Sequence, residues 1–401
     1  MSLAPLVPAD AAEAGLMVQA AAVSGQRLAP LGAGTRAWFG RPAPEDLVPL
    51  STARMRRVTH YEPDDLTVTA EAGLPFVALQ AKLRAAGQWL PVNPPQSSGS
   101  TLGGLLATGA SGSLRFRYGA WRDLVIGMTV VGADGVPVKS GGRVVKNVAG
   151  YDVHKLHLGA LGTLGLIASV SLKVLPLPPA RGLVLAAFDG RAAAALAGAR
   201  ASGSQMEPAA VELFDGALAG RVLGGAVPAG GTILAIRLAG LPADCAHSAR
   251  ALLAELEASG GLRAIALEGA ACDEAWSALD EVPTAAETIV RLVAPPSAIG
   301  ALLDGAALPG AALVAADLAT GVLHLLWPVA PEAAVLAPIL AGLRKALAGT
   351  GHVTLWKARA ELSRQLDVWG PPPASYPVML AVKRALDPRG LWNPGRFVGE
   401  L

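Results

Sequence analysis

The apolar positions of the first 180 residues switch between a period near 3.6 and a period of 2, the two signatures of packed helices and half-buried strands. Residues 9–23 read as a helix, with Gly25 as its stop. The following RLAP reads as a short strand that runs into Leu31-Gly32-Ala33-Gly34-Thr35-Arg36. In residues 65–70, Leu66, Val68 and Ala70 share one face of a strand, and Pro75 then opens a helix with Phe76, Leu79 and Leu83 in one stripe and Gly87 at its end. Residues 124–132 form a strand that Ala133-Asp134-Gly135 turns back into 136–139. From Thr163 onward Leu166, Ala168, Val170, Leu172 and Val174 face one way and Ser169, Ser171 and Lys173 the other, until Pro176-Leu177-Pro178-Pro179 marks a domain boundary.

Beyond that boundary the chain becomes rich in Ala and Leu. Helices are expected at 191–200, 243–259 and 333–347, and strands at 232–238 and 322–327, so that residues 183–375 read as a separate α+β cap. The stretch 383–397 changes character again.

Glycine is concentrated between Pro94 and Ile167, as G-S-T-L-G-G, A-T-G-A-S-G and G-A-L-G-T-L-G. Without a Cβ, such backbone approaches a ligand closely, and turns with φ > 0 aim successive N–H groups inward, a nest suited to a polyanion. The turn at Gly32 is formally G-x-G-x-x-A, the dinucleotide fingerprint of a Rossmann unit. A helix must begin at once in that fold, yet Gly40, Pro42 and Pro44 occupy its first turns. Another nucleotide-binding fold fits better.

Composition narrows the function further. A net charge of +2 over 401 residues lacks the clustered cations of a nucleic-acid surface. Two cysteines, Cys245 and Cys272, exclude a disulfide framework and any Cys-based iron–sulfur or zinc site within the chain. Mean hydropathy is high at +0.44, but no window of about 20 residues is apolar without interruption. The acidic N-terminus MSLAPLVPADAAEAG lacks the basic start of a signal peptide, so the expected location is cytoplasmic.

The order G-A-G-T, S-G-S-T-L-G-G, A-T-G-A-S-G, R-Y-G-A-W-R-D, K-N-V-A-G-Y-D and G-T-L-G-L-I, spread over residues 28–178, resembles the vanillyl-alcohol-oxidase-type, or PCMH-type, FAD-binding domain. The closing LDPRGLWNPGRF, residues 386–397, resembles the D-2-hydroxy-acid flavoprotein branch, in which the tail returns to the FAD domain. Together these motifs are most similar to the FAD-binding E-type subunits of bacterial glycolate oxidases. The resemblance implies an α+β fold: a two-subdomain PCMH-type domain over 1–178, an α+β cap over 179–375, and a tail over 376–401 that packs on the FAD domain.

The resemblance also assigns contacts. Gly32, Ala33, Gly34, Thr35 and Arg36, with Ser100, Thr101, Leu102, Gly103 and Gly104, would hold the pyrophosphate. Thr108, Gly109, Ser111 and Gly112 would run beside the ribityl chain and ring, and Gly159, Gly162, Thr163, Gly165 and Ile167 would line the nucleotide end. Lys146 and Asn147 are the nearest polar candidates for stabilising reduced flavin, with loop structure an equal account of them. Arg122 and Asp123 are read as either a structural ion pair or FAD contacts.

The H-x-H-x-G-D-G-N-x-H type segment that related dehydrogenases carry in the cap is missing. His60, His154, His157, His247, His324 and His352 form no such cluster, His154 and His157 read as packing or surface residues, and no catalytic or metal-ligating residue is assigned. The resemblance therefore implies a subunit of a multi-subunit glycolate dehydrogenase. A larger flavin subunit would carry the histidine cluster, and an iron–sulfur subunit would pass electrons on, with peripheral association at the inner membrane face through the complex. A stand-alone FAD-dependent 2-hydroxy-acid or alcohol oxidoreductase, and a non-catalytic scaffold, are the alternatives. Since residues 31–38 and 97–113 contain neither His nor Cys, FAD is expected to be non-covalent. Acid precipitation should leave the yellow colour in the supernatant; colour retained in the pellet would contradict this.

Overall fold

The computed structural model describes residues 4–143, 150–224, 227–304 and 312–401. The chain divides into two compact units, one made of Met1–Ser111, Gly119–Leu177 and Pro371–Leu401, the other of Gly112–Tyr118 and Pro178–Gly370. Lys146 and Asn147 lie outside the described residues.

The first unit opens with the helix Ala11–Ser24. Asp10 caps it by accepting from the Glu13 amide, and Gly25 ends it in the left-handed conformation at φ 69°. Its buried Ala14, Val18 and Ala21 pack into one cluster with Leu28, Leu50 and Trp392. Strands β1 (Leu28–Leu31) and β2 (Val48–Ser51) pair in parallel. Residues 34–40 are turns and bends, the outcome expected from Gly40, Pro42 and Pro44 and the reason no Rossmann unit forms.

Next come β3 (Val58–Glu62), β4 (Thr67–Glu71), β5 (Gln88–Trp89), β6 (Val125–Val131), β7 (Pro137–Gly141), β8 (Leu166–Lys173) and β9 (Leu175–Pro176). Five of them form an antiparallel sheet in the order β3-β4-β8-β6-β7, and β5 pairs with β9. The helix Phe76–Arg84 buries Phe76, Leu79 and Leu83 as its period requires, with Pro75 as the capping residue and not the first helical one. On β8 the expected polar face is only partly wet: Ser171 is buried. Its hydroxyl lies 2.8 Å from that of its cross-strand partner Thr69, so the two satisfy each other.

The tail of the chain is stitched back into this unit. Leu391 accepts from the Leu28 amide and the Asn393 amide donates to the Leu28 carbonyl, both at 2.8 Å, which extends the edge beside β1. Lys383, in the helix Tyr376–Leu386, donates to Asp387 Oδ2 and the Thr163 carbonyl at 2.6 Å and to the Trp392 carbonyl at 3.0 Å. Asp387 in turn accepts from the Leu391 and Trp392 amides at 2.8 Å. Both residues of the pair are buried.

The second unit is a mixed helix and sheet structure. Strands β10 (Ala180–Phe188), β11 (Ala210–Asp215), β12 (Thr232–Gly240), β13 (Arg263–Glu268), β14 (Thr288–Val293), β15 (Leu313–Asp317), β16 (Val322–Trp327) and β17 (His352–Lys357) form one sheet in the order β13-β10-β12-β11-β15-β16-β14-β17. Every pairing in it is antiparallel. Helices Arg191–Ser202, Pro242–Ala258 and Ala333–Ala346 lie where the periodicity puts them, the last continuing through Pro338. Among the described residues no helix is long and apolar enough to cross a membrane.

Losing one partner of a buried pair leaves the other charge uncompensated and costs about 3–5 kcal/mol. Lys383→Met should therefore lower the thermal midpoint of this unit by on the order of 10 °C. Differential scanning calorimetry checks this; an unchanged midpoint would show that the pair does not hold the tail.

Candidate cofactor cleft

A cleft in the first unit is lined by Pro30, Leu31, Gly32, Thr52, Ala72, Gly103, Gly104, Ala107, His157, Ala160, Gly162, Gly165, Leu166 and Ile167. Its walls come from the end of β1, the end of β2, the helix Leu102–Thr108 and the turns that precede β8. No carboxylate lines it, so an anionic ligand meets no repulsion from its walls.

The glycines fall into distinct physical roles. A Cβ on Gly32 would lie 2.2 Å from Thr101 Oγ1, and one on Gly103 would lie 2.8 Å from the Ala72 Cβ, so both exist for close packing of β1, β4 and the helix. Gly162, at φ 70°, packs against Pro30, and Gly165, at φ 146°, packs against the Val131 carbonyl. Gly104 is different: its nearest neighbour would be Thr101 Oγ1 at 3.2 Å, and it opens on the cleft.

The amides of Gly32, Ala33, Gly34 and Thr35 donate to no protein acceptor among the described residues, and Gly34 is at φ 74°. Four consecutive unpaired donors around a left-handed glycine make an anion nest. The Thr35 and Ser100 hydroxyls, 3.0 Å apart, join this turn to the second glycine cluster. Arg36 is buried and its Nη2 donates to the Pro95 carbonyl, which braces the turn from behind.

Residues 3–141 match the family described as FAD binding domain. The first unit carries an FAD-binding domain. The chain is 39% identical over 150 residues to the glycolate oxidase subunit GlcE of Escherichia coli (strain K12), a match that covers 37% of this chain and 42% of that protein. It is 30% identical over 188 residues to the glycolate oxidase subunit GlcD of Bacillus subtilis (strain 168), covering 47% and 40% respectively. The chain thus spans about two fifths of the length of these curated relatives. Among solved structures, p-cresol methylhydroxylase with substrate bound shares the fold at a TM-score of 0.74 with 13% identity, covering 97% of this chain and 87% of that one.

The residues present fit FAD, with some of the expected contacts redistributed. Gly32, Gly103, Gly104, Gly162, Gly165 and Ile167 reach the cleft, while Ala33, Gly34, Thr35 and Ser100 form the turn beside it. The second glycine cluster offers fewer donors than its sequence suggests. The amides of Leu102 and Gly103 donate to the Leu74 and Ala72 carbonyls, and Thr101 Oγ1 caps the helix by accepting from Gly104. Leu102 itself is a core side chain. Thr108 donates to the Gly104 carbonyl at 2.8 Å, and Thr163 donates to Ala160 at 2.7 Å while its own carbonyl receives Lys383. Their hydroxyls are thus occupied internally. Gly109 ends the helix at φ 65° and Gly159 lies against it, placing both as turn residues. Ser111 is buried with its carbonyl bonded to Asn93, and Gly112, at φ 79°, belongs to the second unit. Asp123 accepts from the Ala120 amide at 2.9 Å, a local cap in place of an ion pair with Arg122.

Thr52, Ala107, Ala160 and His157 line the domain's cleft without having been expected there. Thr52 follows β2 and donates its amide to the Leu31 carbonyl, a parallel pairing that no local pattern announces. His157 is held neutral: burial and then the neighbouring His154 push it down to about 4. His154 is buried and its Nδ1 lies 3.1 Å from Ser140 Oγ.

Gly104→Trp should fill the cleft while leaving the helix cap intact. A loss of about 1.4 kcal/mol is tenfold in affinity, so flavin per chain after gel filtration should fall at least about tenfold. Unchanged flavin content in a variant of wild-type melting temperature would refute the placement.

Proposed function

We propose that this chain is the FAD-binding subunit of a multi-subunit glycolate oxidase, or dehydrogenase, working in the cytoplasm. The complex oxidises glycolate to glyoxylate and passes electrons to an iron–sulfur partner. Three observations support this reading together. Residues 3–141, which match the FAD binding domain, supply half of the cleft's lining or more, the chain is similar to GlcE over 150 residues, and among the described residues no cluster of His, Cys, Asp or Glu gathers to hold a metal.

In this reading the Gly32–Thr35 nest holds the pyrophosphate, and Gly104, Gly162 and Gly165 allow the nucleotide to lie against bare backbone. The absence of His or Cys in the turns supports non-covalent attachment. When bound, the flavin supplies hydride acceptance at N5, chemistry that no side chain of the chain offers. His157, uncharged in the cleft wall, contributes a hydrogen-bonding group without adding a cation.

The histidines bear on the division of labour. His60 lies beside Glu62 in the first unit, His154 and His157 lie near one another there, and His324 and His352 lie on separate strands of the second unit. Among the described residues no group of three or more His, Cys, Asp or Glu gathers to hold a metal. A larger flavin subunit, of the kind GlcD exemplifies, is therefore the proposed carrier of the proton-abstracting site, since removal of the hydroxyl proton needs a base within hydrogen-bond reach.

Anaerobic addition of glycolate to the isolated, FAD-loaded chain separates the readings. The flavin absorbance should persist for the chain alone and bleach once the partner subunits are added. Rapid bleaching by the chain alone would overturn the division of labour and favour a stand-alone oxidoreductase.

A further inference from the structure

We infer that the first unit carries a docking groove for an amphipathic helix of another polypeptide chain, one with apolar side chains at helical spacing and carboxylates beside them. The helix Tyr376–Leu386 is inverted relative to an ordinary surface helix, which turns its apolar stripe inward and its charges to water. Here Lys383 alone is buried, turned onto Asp387, while Val378, Ala381 and Ala385 are exposed and Val382 is half-buried. These four stand at i, i+3, i+4 and i+7 and form one apolar stripe, on the side of the helix away from Lys383. The ion pair gives Lys383 its reason to be inside. Among the described residues nothing covers the stripe.

The stripe borders a groove of the same unit. Val382, Ala385 and Leu386 form one wall, Met128, Val130 and Val138 of the sheet form another, and the turn Val153–His157 closes the end, around a volume of about 360 Å³. Its polar groups are largely spoken for, since His154 Nδ1 and Ser140 Oγ lie 3.1 Å apart and engage each other. A neighbouring depression shares Val138, Ala385 and Leu386 and extends the groove to Arg389. The strand that carries Val138, β7, is the outer strand of its sheet. Val138 is 55% exposed, Leu386 39% and Val378 66%, so large apolar side chains from two elements meet water along one surface. A contiguous apolar patch of this kind marks an interaction site.

Charge selects the occupant. Segments 132–143, 150–157 and 376–390 frame the groove, and within them Asp152 pairs with Lys155 and Asp387 with Lys383. That leaves Lys139, Arg143, Arg384 and Arg389 without an ion pair among the described residues, against the single unpaired acid Asp134, which accepts from the Val136 amide at 3.0 Å. Residues 144–149 contain neither Asp nor Glu. A second copy of this face would set like charges together across a two-fold contact, so the cations disfavour self-association. They favour a chain that carries Asp and Glu beside its apolar positions. The concave form favours side chains that enter it over the surface of a lipid bilayer. A helix with apolar residues at i, i+3, i+4 and i+7 fits both features, packing on the stripe and filling the groove.

That the helix belongs to another subunit of the complex rests on the function proposed above; the groove itself does not. The probe is a synthetic helix of about 18 residues with Leu at those spacings and Glu elsewhere, beside a twin with Lys in place of Glu. Each is titrated with the FAD-loaded full chain and followed by fluorescence anisotropy. The Glu peptide should bind about tenfold more tightly than the Lys peptide, or better. Ala385→Glu and Val138→Glu, on separate elements, should each weaken it by about tenfold or more, at wild-type melting temperature and flavin content. Leu196→Glu, at an exposed position of the second unit, should bind as wild type. No binding of the Glu peptide, equal binding of the two peptides, or wild-type affinity in a folded Ala385→Glu or Val138→Glu variant would overturn the groove. Binding of phosphatidylglycerol vesicles that both variants abolish, without binding of the peptide, would assign the face to a membrane and overturn it too. Because the readout is peptide affinity and not glycolate oxidation, a chain that binds the Glu peptide here but assembles into no glycolate-oxidising complex would sink the function and leave the groove standing.

Discussion

The buried pair of Lys383 and Asp387 is the constraint on which the cofactor cleft depends. Lys383 has three protons to donate and places them on Asp387, on Thr163 and on Trp392, while Asp387 receives two backbone amides of the tail. One ion pair thus fixes the last stretch of the chain, the turn before β8 and, through the Leu391 and Asn393 bonds to Leu28, the edge of β1. The cleft lies between the end of β1 and that turn. A buried pair is seldom a net source of stability. Its value here is positional, since the three protons of Lys383 and both oxygens of Asp387 are used to specify where a segment goes. Asn393 adds to this by donating to the Leu161 carbonyl at 2.6 Å, at a residue held at φ 53°.

The glycine-rich block has two physical uses that a sequence does not separate. Gly32 and Gly103 are there because Thr101 and Ala72 occupy the space a Cβ would need. Gly34 and Gly104 are there to present backbone to the outside. Thr101 connects both uses: its Oγ1 caps the helix Leu102–Thr108 and at the same time packs against Gly32. A hydroxyl in that position is committed to the scaffold, and the donors left for an anion lie one turn earlier, in the Gly32–Thr35 backbone.

This explains which parts of the molecule were legible. Elements with a clean period, such as Phe76–Arg84 with its Phe76, Leu79 and Leu83 stripe, or a short apolar run, such as β16, were readable because their signal is local in sequence. So was the failure of the Rossmann reading, since two prolines forbid a helix wherever the rest of the chain goes. The sheet orders were not readable, because β11 meets β15 and β14 meets β17 through pairings that local patterns do not encode. The same limit hid Thr52 and His157, which reach the cleft only through the parallel β1–β2 pairing and the turns after β7. Ser171 shows the converse error, an alternation that predicted a wet face where Thr69 supplied the missing partner instead.

The polar face of the second unit follows from the same accounting of donors and acceptors. Along the sheet, Glu212, Arg237, Asp317, His324 and Arg291 enter at positions that pairing puts on one side. At one end the charges close on themselves, with Arg237 held between two carboxylates and its guanidinium over the Trp276 ring. At the other end the guanidiniums of Arg291 and Arg115 face a single carboxyl, that of Asp317, which burial drives toward neutrality. Low dielectric strengthens both arrangements, stabilising the closed one and penalising the open one.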